Sequence, residues 1–299
     1  MLFRLVAALI LMSASARAEP LHVVTDIAPV HSLVAMVMDG VAEPDLLLAP
    51  GTSAHHFALK PSQARTLAQA DLVIWIGPSL TPPLAEALDT LAPNAARIVL
   101  SETQGTLTLP YRELEGFGHE HDHGDDAHAG EDVDPHLWLA PENAQLWLGI
   151  IADALAEQDP DNALNYKENA VKSALRIENL ANQTGQNLSA LKGVPIAVFH
   201  DAFQYFEHSF DLTVIGALSD SEAAPAGPAF LDGLRDRLTA EPPACILLEP
   251  GANRKLVQAI APDVPAVELD PMGTALTPGS ALYPALIEDM AKRLADCAN

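Results

Sequence analysis

Two blocks of short apolar runs, separated by one long amphipathic stretch, restrict this chain to a layered α/β architecture. The first block holds Leu21–Ile27, Asp45–Ala49, Asp71–Gly77 and Arg97–Leu100. The second holds Pro195–Phe199, Leu212–Ala217, Ala244–Glu249 and Ala266–Asp270. Helical patterns lie between the runs, as in Pro61 to Ala68, where Ser62 is a fair N-cap. Short, uniformly apolar runs belong to parallel sheets covered on both faces. The expected fold is α/β, with two lobes that each carry a mainly parallel sheet flanked by helices.

The stretch between the blocks reads as one helix. Asp159-Pro160 marks its start, because proline fits the first turn. Ala174, Ile177, Ala181, Thr184, Leu188 and Leu191 then recur at the alternating three-and-four spacing of a helix face. Gly193 is a stop, and Gly185 a candidate kink. From Pro160 to Lys192 such a helix would run roughly 50 Å at 1.5 Å per residue. No Gly, Pro or Ser cluster provides a flexible hinge, so a single rigid helix is expected to join the lobes.

Residues 1–18 read as an address rather than as structure. Arg4 precedes the apolar run Leu5 to Met12, and Ala16-Arg17-Ala18 is an A-x-A cleavage site. The run is shorter than the ~20 apolar residues of a spanning helix. Cleavage after Ala18 and export to the periplasm follow as expectations. The domain division is then 1–18 signal peptide, 19–158 first lobe, 159–192 linking helix and 193–299 second lobe. Cys245 and Cys297 are the only cysteines, and in an oxidising compartment such a pair is a candidate disulfide.

Charge narrows the partners. The chain carries 16 Lys+Arg against 40 Asp+Glu, a formal net charge of -24. That field repels nucleic acid and anionic lipid and attracts cations. The acids concentrate at residues 113–134, ELEGFGHEHDHGDDAHAGEDVD, which hold no Lys or Arg. So little apolar surface cannot offset chain entropy, and a disordered loop is expected. His119, His121, His123 and His128 make this loop a candidate secondary, weak metal binder, since imidazole suits zinc, copper and nickel.

Three other histidines lie in ordered surroundings. His55 follows the run Asp45–Ala49, His200 follows Pro195–Phe199, and His136 stands at the exit of the acidic loop. Asp270 closes the run Ala266-Val267-Glu268-Leu269. Ligands of open α/β sheets bind beyond the carboxyl ends of strands. His55 and His136 belong to the first block, His200 and Asp270 to the second, so a metal held by them would occupy the interlobe cleft. Three imidazoles plus a carboxylate or water suit tetrahedral Zn2+. Asp270 before a proline is also a turn former. Asp201, beside His200, is the expected partner of its ring.

Together these stretches resemble the zinc-binding periplasmic component (ZnuA type) of ABC uptake transporters, within the metal-binding cluster of solute-binding proteins. The matching segments are GTSAHHFALKPSQ, ADLVIWIGPSL, the His/Asp-rich loop running into DPHLWL, VFHDAFQYFE, ILLEP and LDPMG. The resemblance implies two lobes joined by a long helix, with zinc in the cleft on His55, His136 and His200. It also implies the Cys245–Cys297 bridge. Manganese-type relatives use a carboxylate at the position of Asp270 and often carry Glu at that of His200, so His200 favours zinc. The implied function is capture of Zn2+ and its delivery to an inner-membrane ABC permease, by a monomer that other periplasmic zinc chaperones could also serve. A manganese or iron receptor of the same fold is the runner-up. A zinc hydrolase is a weaker alternative, for Gly51-Thr52-Ser53-Ala54-His55 starts like a nucleophile elbow but lacks its final Gly.

Overall fold

The structure is a computed structural model that describes residues 21–55, 57–112, 133–219 and 227–298. The targeting segment, His56 and the histidines at 119–128 lie outside the described residues.

Each block folds into a four-stranded parallel sheet. The first has the order β2-β1-β3-β4, built from β1 (Val23–Thr25), β2 (Asp45–Leu46), β3 (Leu72–Trp75) and β4 (Ala96–Val99). The second has the order β6-β5-β7-β8, built from β5 (Pro195–His200), β6 (Thr213–Ser219), β7 (Ile246–Leu248) and β8 (Ala266–Glu268). In both sheets the chain starts on an inner strand, moves to one edge, then crosses back. The reversal creates a crevice at the carboxyl ends.

Strand side chains alternate between two apolar layers, as the period of two requires. Leu72 and Ile74 of β3 face an inner core, whereas Val73 and Trp75 face α2 (Pro61–Ala68) and α3 (Pro82–Leu91) through Leu67, Leu84 and Leu88. Ile196 and Val198 of β5 face the same inner core, whereas Ala197 packs toward α7 (Pro228–Ala240) and α8 (Arg254–Ile260).

The inner core is continuous across both halves. It contains α1 (Ala28–Val37), α4 (Pro141–Gln158), α5 (Ala163–Asn187) and α9 (Leu282–Ala295). Trp147, Tyr166 and Tyr283 are fully buried within it. Although α9 ends the chain, it packs on α1 and α5, and the Tyr283 N–H donates to Ser32 Oγ at 2.9 Å. The halves thus share a packed helical layer.

The long helix is shorter than the sequence stripe. Its α portion covers 25 residues, about 37 Å at 1.5 Å per residue. Both ends tighten into 3-10 turns, at Pro160–Asn162 and Ser189–Leu191. Asp159 fixes the start by accepting from Asn162 Nδ2 and Tyr166 Oη at 2.7 and 2.8 Å. Past the end, Gly193 takes φ +71°, a left-handed conformation that favours glycine. The helix continues through Gly185. Ile177, Thr184, Leu188 and Leu191 of the predicted stripe are buried.

The disulfide Cys245–Cys297 is formed. It ties the residue before β7 to the turn that follows α9.

Candidate metal centre

The three histidines anticipated as ligands converge. His55 and His136 have ring centroids 5.8 Å apart, and His136 and His200 5.5 Å. They line a cavity of about 490 Å³ together with Glu249, Asp270, Trp138 and Ser219. Its lining carries two carboxylates and no Lys or Arg among the described residues, so its field favours a cation.

Each ring is placed by a different piece of local structure. His55 rides on the segment after β2, where Gly51 at φ +80° lets the chain turn and the Thr52 N–H reach the Ala49 carbonyl at 3.0 Å. His136 is buried at the start of the turn Leu137–Leu139. Asp134 Oδ1 accepts from its backbone N–H at 2.9 Å and lies 2.7 Å from its ring Nδ1. Below it, Trp138 Nε1 donates to the Pro271 carbonyl at 2.7 Å, joining this turn to the opposite half.

His200 is the last residue of β5. Its ring Nδ1 stands 3.2 Å from both oxygens of Glu249. Sheet register explains the meeting. Val198 of β5 pairs with Leu247 of β7 in parallel, so two residues further on His200 and Glu249 lie side by side. The sequence carried this signal: Ile246-Leu247-Leu248 is the third apolar run of its block, and Glu249 ends it.

This corrects the expectation for Asp201. Its carboxylate takes bonds from Arg112 Nε and Nη2 at 2.8 and 2.5 Å. The same guanidinium binds Glu207 through Nη1 and Nη2 at 2.6 and 2.9 Å. Burial pushes the Glu207 carboxyl up to about 7, against the downward pull of Arg112.

Asp270 lines the cavity but serves its own loop as well. Its Oδ1 accepts from the Met272 N–H at 3.1 Å, and its Oδ2 from the Thr274 N–H and Oγ1 at 2.5 and 2.6 Å. A longer contact from the Ala275 N–H, 3.4 Å, also reaches Oδ2.

The geometry can be compared with tetrahedral zinc. A bound imidazole centroid lies roughly 3.2 Å from the metal when Zn–N is about 2.0–2.1 Å, so two such centroids are about 5.2 Å apart. The observed separations are a few tenths of an ångström wider. In agreement, no three His, Cys, Asp or Glu side chains among the described residues stand closely enough to grip an ion as they are. An inward shift of a few tenths of an ångström would bring these two separations to the tetrahedral value. Where Nδ1 donates to a carboxylate, Nε2 carries the lone pair a metal needs.

Comparison with known proteins decides the family. The family described as "Zinc-uptake complex component A periplasmic" (ZnuA) matches residues 23–297. The chain belongs to this family. A relative from Paracoccus denitrificans (strain Pd 1222), "High-affinity zinc uptake system protein ZnuA", is 37% identical over 98% of this chain and 96% of its own. The protein of the same name from Brucella abortus (strain 2308) is 33% identical over 92% and 91%. Among solved structures, "Crystal structure of ZnuA" superposes with a TM-score of 0.77 at 22% identity, covering 94% of this chain and all of that one. The solute-binding protein FpvC from Pseudomonas aeruginosa, in complex with Mn2+, gives 0.77 at 20% identity, covering 94% and 99%. At these identities the structural likenesses establish the fold. ZnuA-family proteins are solute-binding transport components, so the chain is not an enzyme and the hydrolase alternative is set aside. No helix among the described residues is long and apolar enough to cross a membrane.

Proposed function

We propose that the chain captures one Zn2+ on His55, His136 and His200 and hands it to an ABC permease for import. The observation that carries this reading is the convergence of three rings from both halves on an acid-lined cavity, two of them with Nδ1 against a carboxylate. The fourth position is open to water or to Asp270 Oδ1, which accepts one hydrogen bond, from the Met272 N–H at 3.1 Å. Three nitrogen donors favour zinc over manganese, which prefers more carboxylate.

The lobes are taken as 19–158 and 193–299, with 159–192 between them. The shared helical layer supports release through local loop shifts, with little hinging of whole lobes. The protein is taken to work as a periplasmic monomer after cleavage at Ala18, with the permease and any zinc chaperone as its partners. His119, His121, His123 and His128 provide a secondary, weaker zinc site that concentrates the ion.

Native mass spectrometry of metal-stripped mature protein, titrated with Zn2+, Mn2+ and Cu2+, tests this. One tight zinc is expected, weakened in His55→Ala, His136→Ala and His200→Ala, plus a weaker one lost when residues 119–128 are deleted. A zinc-bound crystal structure separates the two candidates for the fourth position, by showing either Asp270 Oδ1 or a water in contact with the ion. Preferential retention of Mn2+ over Zn2+, or wild-type zinc affinity in the three histidine variants, would overturn the proposal.

A further inference from the structure

We propose that Arg112 is a positioning residue for the metal centre, locking the turn that bears His200 to the backbone that bears His136. The inference rests on the proposed zinc site and adds a residue that touches none of its ligands.

Arg112 comes from the first half of the chain, yet all its side-chain hydrogen bonds described above cross to the second. Its fork grips Asp201, the peptide neighbour of His200, and Glu207 on α6 (Gln204–Phe210). The cluster is largely shielded, with side-chain exposures of 22% for Arg112, 18% for Asp201 and 6% for Glu207. Bidentate charge-assisted bonds fix angles as well as distances. A lysine in this place would keep the charge but could not fork to both carboxylates.

The same helix is gripped a second time. Tyr205 Oη donates to the Asp134 carbonyl at 2.8 Å and accepts from the Leu109 N–H at 2.9 Å. The Asp134 N–H in turn reaches the Leu109 carbonyl at 2.9 Å, and its carboxylate holds His136. The bonded path therefore runs from the His136 ring through Asp134 and Tyr205 into α6, then from Glu207 through Arg112 and Asp201 to the backbone of His200. It closes a frame between ligands of opposite halves. Such a frame sets their spacing before the ion arrives, which lowers the cost of assembling the shell.

The test uses the full mature chain with Arg112→Lys and Tyr205→Phe, each read three ways: apo melting temperature, zinc affinity by chelator competition, and the visible spectrum of the protein with one equivalent of Co2+. The frame predicts roughly tenfold weaker zinc in each variant and a shifted Co2+ spectrum. Because both grips act on one helix, their effects are expected to couple, with the double variant departing from the sum of the two singles. If Arg112→Lys fails to fold, Glu207→Gln, which loosens the same fork, takes its place with the same three readouts. Lower melting temperatures with wild-type zinc affinity and an unchanged Co2+ spectrum would reduce the cluster to a structural ion pair and overturn the inference. His136→Ala runs alongside: if it too binds zinc like the wild type, the site reading itself fails. If it loses zinc while the other two do not, only the role of Arg112 falls.

Discussion

The imidazole of His200 stands 5.5 Å from that of His136, centroid to centroid, and each has its Nδ1 against a carboxylate, Glu249 and Asp134 respectively. These carboxylates fix which ring nitrogen carries the proton and which way the ring faces. Glu249→Gln and Asp134→Asn are each expected to weaken zinc by about 10–100-fold without changing stoichiometry. Competition with a chromophoric chelator measures this, and wild-type affinity in both would show that the carboxylates do not prepare the rings.

Direct ligands should matter more than their supports. Replacing His55, His136 or His200 with alanine is expected to cost more than about 100-fold in zinc affinity, exceeding the effect of either carboxylate variant. The apo proteins should unfold at nearly the wild-type denaturant concentration. Among them His55, which is only half-buried, should be the least disturbed.

The Cys245–Cys297 bridge closes a loop of 52 residues in sequence and pins the end of α9 beside β7. Its removal by a double serine substitution is expected to lower stability by about 2–4 kcal/mol, through greater freedom of the unfolded chain. Zinc affinity should hold, because neither cysteine lines the cavity. Denaturation in urea, with and without reductant, measures the first effect. Equal midpoints would mean that the bridge contributes nothing.

Asp26, directly after β1, is fully buried, with its carboxylate accepting from the Ile27 and Ile76 N–H groups at 2.8 and 3.0 Å. Burial nevertheless pushes its pKa from 3.8 up to about 7. Between those values the folded chain keeps a proton that the unfolded chain has released. The stability linked to neutral Asp26 is therefore complete below the unfolded pKa and is lost as pH rises through the folded one. His31, whose pKa burial lowers, acts in the opposite sense. Asp26→Asn isolates the carboxyl: metal-free wild type should lose more stability than the variant between about pH 5 and about pH 7. Identical slopes would refute the assignment.

What the sequence made legible follows from what each residue's signal depends on. The strands and the long helix were readable because apolar periodicity is local. His200 was readable because it ends an apolar run, and His55 because it lies on the segment that follows one, so both stand toward the mouth of a parallel sheet. Glu249 was missed because its role depends on which strand neighbours β5, a fact of topology. Asp201 was misread for a related reason. Successive residues leaving a strand point to opposite sides, so the sequence neighbour of His200 faces Arg112 while the ring faces Glu249. The helix was predicted too long because its apolar stripe continues into a 3-10 turn that buries Leu191 just as an α turn would.

The most direct test is anomalous diffraction at the zinc edge from crystals of mature protein loaded with one equivalent of Zn2+. One dominant peak is expected in the cavity, with one nitrogen from each of His55, His136 and His200 at about 2.0–2.1 Å. A dominant peak elsewhere, or one that fewer than three of these rings reach, would contradict it.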